Sequence, residues 1–470
     1  MNKTKIIATI GPATYKKEVL MELINSGVDV VRLNMSYSDY HFCREVIGNI
    51  QEINREIQAN TAIMLDLEGP CIRVGEFQGG HGEFQTGEKI RIYMKPIICN
   101  SYQFSVNYPK LIDDLKFRSV IKLMDGKVVL EVVEKGMDYV VCEVLKGGIV
   151  DSLSKVYLPG VKLNRKFLTK QDREDILFAN KMDVDFIGVS NVSDAEDILE
   201  INDLLIELKN DHIGLIAKIQ NDRAVKNLDR IIDVADGILL ARSDLAVEIP
   251  LEEVPNVKNQ IIRKCNDMGK VSIITAELDS FLTKEVIPSR SEVSDLANAV
   301  SDSVDAILLT GETTVGVHPV AAVKELERIV KVAEHTIDYE YFFDRALKIK
   351  SQSIAGTIAT SVALGAIELN CKAIIVATNT GYTARQTSKL RPPCMIIAAA
   401  PNERVARGLS LYFGVLPISI GELDFDTISS KAISVAKESL NLEKGDKVIV
   451  TGGYPFKKVK HTNFMKIDEI

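Results

Sequence analysis

Eight short runs of apolar, largely β-branched residues, each followed by an amphipathic stretch, constrain this chain more than any other feature. They are Lys5 to Ile10, Val28 to Ser36, Ala62 to Leu67, Phe186 to Val192, Leu215 to Gln220, Gly237 to Leu245, Val271 to Leu278 and Ala306 to Glu312. Near-continuous apolar character is the pattern of parallel strands covered on both faces. Helical patterns such as Thr169 to Lys181 and Val257 to Met268 lie between them. Eight βα units point to a (β/α)8 TIM barrel rather than an open sheet.

The rhythm breaks once inside the barrel and changes once after it. From about Cys71 to Tyr157 glycines are frequent (Gly75, Gly79, Gly80, Gly82, Gly87, Gly126), and runs such as Lys127 to Val133 alternate. This predicts an all-β insertion, residues 71–157, forming a β-barrel lid at the catalytic end. The (β/α)8 catalytic domain then comprises residues 1–70 and 158–347. Residues 348–470 start a new set of strands at Cys371 to Thr378, Met395 to Ala399, Val415 to Ile420 and Lys447 to Val450. They are expected to form a smaller open α/β regulatory domain.

Composition removes several classes of function. With 470 residues, 46% apolar and 26% charged, the chain has the balance of a multidomain globular protein. A formal charge of -8 argues against nucleic-acid binding. No apolar run reaches bilayer-spanning length, and Met1-Asn2-Lys3-Thr4-Lys5 leads straight into a strand without a signal peptide's apolar stretch, so no membrane partner and a cytoplasmic location are expected. The seven cysteines are scattered singly and the six histidines show no ligand or triad spacing. What remains is cofactor-free chemistry, or chemistry assisted by a hard metal ion bound through oxygen.

Catalytic groups of a barrel come from the carboxyl ends of its strands. Those ends supply Arg32, Asn34 and Ser36, then Asp66, Lys218 and Gln220, Asp244, Thr275 and Glu277, and Glu312. Period-two alternation puts Lys218 with Gln220, and Thr275 with Glu277, on one face. Singly, each is more often a cap or a solvated turn. Together, cations, oxygen donors and a hydroxyl suit a phosphorylated acid and a metal ion, the needs of phosphoryl transfer.

The residues around these ends carry a resemblance. Thr4 to Ala13, Arg32 to Ser36, Leu65 to Pro70, Leu158 to Val161, Ala241 to Leu245 and Thr310 to Thr313 are similar to motifs of the pyruvate kinase family, in the family's order along the whole chain. The resemblance implies glycolytic transfer of a phosphoryl group from phosphoenolpyruvate to ADP, giving pyruvate and ATP, in an allosteric homotetramer. It assigns Lys218 and Arg32 to the phosphoryl group in flight and Arg73 to placing the phosphates. Asp244, with Gln220 as the second ligand, is assigned to Mg2+ or Mn2+. Backbone amides around Ser243 and Asp244 are assigned to the substrate carboxylate, and Thr275 to the proton relay. Asn34, Ser36, Asp66 and the Leu67 carbonyl match the K+ site. Thr378, Asn379, Thr380, Gly381, Tyr382 and Thr383 resemble an effector-phosphate loop for a sugar phosphate, with Thr451 to Lys458 as its second wall. An ordinary N-capped turn is the alternative there.

Departures from the family cluster at the site. Glutamine stands at Gln220 where the family has glutamate, so a formal charge is lost. Ser243 and Ala246 replace glycines, Ala276-Glu277 a glutamine and a methionine, and Tyr37-Ser38 a histidine and a glycine. Glu68 replaces a lysine, Asn191 a phenylalanine and Ser193 a basic residue. Cys71 occupies the position that goes with potassium dependence, which stays open. Glu277 is either a compensating carboxylate for the metal or the partner of a local base such as Arg32. A paralogue with another enol-phosphate or oxo-acid substrate, and a weakly active regulatory protein, are the alternatives to the family reaction.

Overall fold

All eight apolar runs form strands, and the strands close into one parallel barrel. They are β1 (Lys5–Thr9), β2 (Val30–Asn34), β3 (Ala62–Asp66), β4 (Phe186–Val189), β5 (Gly214–Ile219), β6 (Gly237–Leu240), β7 (Val271–Thr275) and β8 (Ala306–Leu309). The structure is a computed structural model describing residues 1–470 except 211, 284–285, 350–352, 422–424 and 455–461. Every residue of β1, β3, β4, β6 and β8 is buried, as near-continuous apolar runs require.

Every run ends as a strand one to five residues sooner than its pattern suggested, and two of these early ends move site residues. β6 stops at Leu240, and Arg242–Glu248 is a helix. Arg242 and Asp244 are charged, and a strand covered on both faces offers them no partners. β7 stops at Thr275, so the period-two relation does not extend to Glu277.

Alternate residues of each strand face the barrel axis. Ile7, Val30, Met64, Ile216, Leu239, Ile273 and Leu308 belong to one buried apolar cluster. Two residues further along the same faces come Thr9, Arg32, Asp66, Lys218 and Thr275. The inward face thus changes from apolar to polar toward the carboxyl ends, and that change places the site.

Aspartates close the opposite end. Asp29, Asp185, Asp236 and Asp305 each precede a strand and accept a neighbouring strand's N–H, from Ile6 (2.9 Å), Ile63 (2.9 Å), Leu215 (2.8 Å) and Ser272 (3.0 Å). The C-terminal domain seats here. Buried Arg391 reaches Asp305 at 2.8 and 2.9 Å, and Arg407 reaches Asp185 at 2.9 Å.

The insertion is built of strands apart from the short helical turns Leu111–Asp114 and Met124–Gly126, and it is two sheets rather than one closed barrel. Six strands run in the order Val156–Tyr157, Val120–Leu123, Val128–Lys135, Tyr139–Lys146, Lys89–Tyr93, Gln103–Ser105. The chain turns at Gly147, and Gly148–Asp151 pairs instead with His81–Phe84, which interrupts the ladder.

The C-terminal sheet holds β9 (Ala373–Ala377), β10 (Met395–Ala400), β11 (Val415–Ser419), β12 (Lys447–Gly452) and β13 (Phe464–Glu469), in the order β11-β10-β9-β12-β13. The sequence pattern did not show β13. It is an antiparallel edge strand in which no residue is fully buried, so it lacks the apolar signal of the others. All seven cysteines are free, six of them buried and Cys71 partly so.

Candidate active site at the barrel mouth

The centre of the site is Asp66, fully buried at the end of β3. Its Oδ2 accepts from Arg32 Nε at 2.8 Å and from Lys218 Nζ at 2.9 Å. Arg32 also donates to Thr9 Oγ1 at 3.0 Å, and Lys218 to Ser190 Oγ at 2.8 Å. Burial would push the Asp66 carboxyl up, but the Arg32 guanidinium and the Lys218 ammonium outweigh it and hold it below the carboxylate range. Burial pulls Lys218 below the usual lysine range against the attraction of Asp66. Two cations share one carboxylate, so the cluster keeps a net positive charge facing the mouth.

Two oxygens in this region have no partner. Asp66 Oδ1 and Thr275 Oγ1 are both buried without a hydrogen bond. A Cβ on Gly188 would stand 2.5 Å from Asp66 Oδ1, so only glycine keeps that oxygen clear. Asn34 pairs with Asp66 across β2 and β3, and its Oδ1 accepts the Ser36 N–H at 3.1 Å. Asn34, Ser36, Asp66 and the Leu67 carbonyl therefore fit a monovalent cation, which would satisfy the orphan oxygen.

The Asp244 centre is built differently. Asp244 and Ser243 lie in the first turn of the helix Arg242–Glu248, whose leading N–H groups have no acceptor within the helix. Gln220 Nε2 donates to Asp244 Oδ2 at 2.7 Å, and Gln220 Oε1 accepts the Asn191 N–H at 2.7 Å. The amide orientation follows from these partners, since a carboxylate only accepts and a backbone N–H only donates. Lys155 Nζ lies 2.6 Å from Asp244 Oδ1, and the Tyr157 hydroxyl 2.9 Å from it. Burial opposes ionisation of Asp244, but Lys155 and Gln220 together hold its carboxyl low. Burial and the Asp244 and Asp125 carboxylates push the Tyr157 phenol well up, so it remains a donor.

These residues do not fit a divalent cation. Gln220, expected to supply the second ligand, turns its Nε2 toward Asp244 and its oxygen toward the Asn191 N–H, and both Asp244 oxygens already accept from donors. Among the described residues, no group of three His, Cys, Asp or Glu side chains stands ready to hold a metal.

Three other expected groups are placed apart. Arg73 is held by Glu68 through Nε at 2.9 Å and Nη2 at 2.7 Å, so its charge is matched before any phosphate arrives. Glu277 is about half exposed and lies 3.7 Å from Arg242, the local-base alternative, with Arg242 in place of Arg32. Glu312 accepts the Leu278 N–H at 2.9 Å and the Thr310 N–H at 2.8 Å, so it shapes the loops. Sequence reasoning missed Ser190, Lys155 and Tyr157. Ser190 follows β4 as a polar strand end and was legible on that ground. Lys155 and Tyr157 carry no local signal, since the inserted domain delivers them.

A cleft of about 580 Å³ lies between the insertion and the barrel, lined by Cys71, Lys155, Arg165, Asn191, Gln220 and Arg223 among others. No described helix is long and apolar enough to cross a membrane.

Comparison with known proteins agrees with this geometry along the whole chain. The family model for the pyruvate kinase barrel domain matches residues 1–323, and that for the pyruvate kinase alpha/beta domain matches residues 356–468. A pyruvate kinase of Geobacillus stearothermophilus is 38% identical over 471 residues, covering 100% of this chain and 80% of that protein. One from Staphylococcus aureus is 38% identical over 470 residues, covering 99% and 80%. The crystal structure of a pyruvate kinase from Cryptosporidium parvum superposes with a TM-score of 0.94 at 34% identity, over 100% of this chain and 96% of the other. The chain belongs to the pyruvate kinase family of phosphotransferases.

Proposed function

We propose that the chain transfers the phosphoryl group of phosphoenolpyruvate to ADP, giving pyruvate and ATP. The observation that carries this reading is the pair of buried cations, Lys218 and Arg32, joined through Asp66 at the barrel mouth. The bond from phosphorus to the enol oxygen breaks, and a bond from phosphorus to a terminal oxygen of ADP forms. The enolate left behind takes a proton at its methylene carbon. Lys218 and Arg32 stabilise the charge spread over the phosphoryl oxygens in flight. The leading N–H groups at Ser243 and Asp244 receive the substrate carboxylate, and the unpartnered Thr275 hydroxyl belongs to the proton path. A potassium ion among Asn34, Ser36, Asp66 and Leu67 would add positive charge beside the phosphates. Identity of 38% along nearly the whole of this chain to proteins named pyruvate kinase favours this reaction over a changed substrate or a purely regulatory role.

The test is a coupled assay of pyruvate formation from phosphoenolpyruvate and ADP, with Mg2+ and Mn2+ titrated separately, each with and without K+. Turnover supports the reading. No turnover from folded protein under any of these conditions overturns it.

The same reading includes a cytoplasmic homotetramer with a sugar-phosphate effector at Thr378 to Thr383. Asn379 and Thr380 are exposed there, between β9 and the helix Tyr382–Ser388, and Gly381 takes the left-handed conformation at φ 80°. Thr383 Oγ1 lies 2.7 Å from Thr462 Oγ1. Of the second wall, Thr451 to Tyr454 are described, and Pro455 to Lys458 lie outside the described residues. A sugar bisphosphate should raise the melting temperature, and Thr380→Ala should remove that rise.

A further inference from the structure

We infer that Lys155 serves as a tethered cation for Asp244, and that the barrel mouth of this chain has no free-standing site for a divalent cation. The inference deepens the proposed function and rests on that reading for the place of Asp244 in the site.

Lys155 is held in position by its backbone. It forms a β-bridge with Arg73 where the insertion leaves and re-enters the barrel, and the next residue, Val156, donates its N–H to the Ile72 carbonyl at 2.8 Å. Its ammonium lies 4.7 Å from the centre of the Tyr157 ring, a cation–π contact. The Tyr157 hydroxyl is also 3.1 Å from Asp125, so it lies between the Asp125 and Asp244 carboxylates. A paired backbone, an aromatic ring and a hydroxyl thus deliver one positive charge to Asp244 Oδ1.

A divalent cation would have to undo this arrangement. Mg2+ requires near-octahedral oxygen ligation and loses its waters reluctantly. Displacing Lys155 would leave a partly buried ammonium without its carboxylate. Turning Gln220 to present its oxygen would set its amide N–H groups against the Asn191 N–H, leaving that donor unsatisfied. Among the described residues, the nearby carboxylates are already engaged: Glu68 with Arg73, Glu277 with Arg242, and Asp125 with the Tyr157 hydroxyl.

The experiment titrates Mn2+ alone into the full chain, without nucleotide or substrate, and follows free Mn2+ by electron paramagnetic resonance. The native protein should show no uptake that Asp244→Asn abolishes. The double variant Lys155→Ala with Gln220→Glu, verified as folded by thermal unfolding, should take up one Mn2+ per chain, lost when Asp244→Asn is added. Asp244-dependent uptake by the native protein would overturn the inference, and so would a folded double variant that takes up none. The native titration decides the matter even if the double variant fails to fold. Pyruvate formation is measured separately on the same preparation: its absence would overturn the proposed reaction and leave the Mn2+ result standing. Asp244-dependent Mn2+ uptake alongside turnover would overturn the inference and leave the reaction standing.

Discussion

At the scale of single residues, the site is an arrangement of charge around two aspartates. Asp66 gathers Arg32 and Lys218, and Asp244 gathers Lys155, Gln220 and Tyr157. If Lys218 stabilises the phosphoryl group, Lys218→Met should lower kcat by about 10²–10³-fold, the usual cost of losing one positioned charge-stabilising donor. Steady-state kinetics on folded protein would show this, and an unchanged kcat would remove Lys218 from the mechanism. Asp66→Ala is a different kind of change. It leaves two buried cations facing each other, so a loss of about 3–5 kcal/mol of stability is expected by chemical denaturation.

At the scale of elements, the helix Arg242–Glu248 joins the barrel to the insertion. Lys122 donates to the Val247 carbonyl at 2.6 Å, and Glu248 accepts the Leu158 N–H at 3.2 Å. Burial pushes the Glu248 carboxyl up to about 7, against the pull of that N–H and of Lys155 and Lys122. Between the ordinary value of 4.5 and about 7 the folded chain therefore holds a proton that the unfolded chain has released. Stability from this group is complete below that window and is lost as pH rises through it. Glu248→Gln should flatten that decline in thermal-unfolding curves across the window. An equally steep decline in the variant would assign it to other groups. The same helix shows how a sequence pattern misleads: Ala241 to Leu245 continues an apolar strand on paper. Its two charged side chains find partners only when the chain leaves the sheet.

At the scale of the whole molecule, the barrel works from both ends. Its polar carboxyl end meets the insertion, and its aspartate-lined amino end seats the C-terminal domain. Arg391 and Asp305 are both almost fully buried, and Asp305 also accepts from Ser272 Oγ at 2.9 Å. Arg391→Met should cost about 3–5 kcal/mol, because it leaves the Asp305 charge buried without its cation. Calorimetry should then show the C-terminal domain melting ahead of the barrel. A single transition at the native temperature would mean that apolar packing alone couples the two.

The sequence by itself determined the eight-stranded barrel, the inserted β domain and the polar strand ends, because the period of a strand and its burial on two faces are local properties of the chain. Its resemblance to the family also singled out Gln220 and Ser243, on two of the strand ends, as places where this chain is unusual. What only the tertiary structure decided is which groups meet there. Lys218 meets Asp66 from 152 residues away and Lys155 meets Asp244 from 89, through strand register and the return path of the insertion. No local pattern encodes those distances. The single positive charge at Asp244 is therefore a property of the fold, set by where the inserted domain comes back to the barrel.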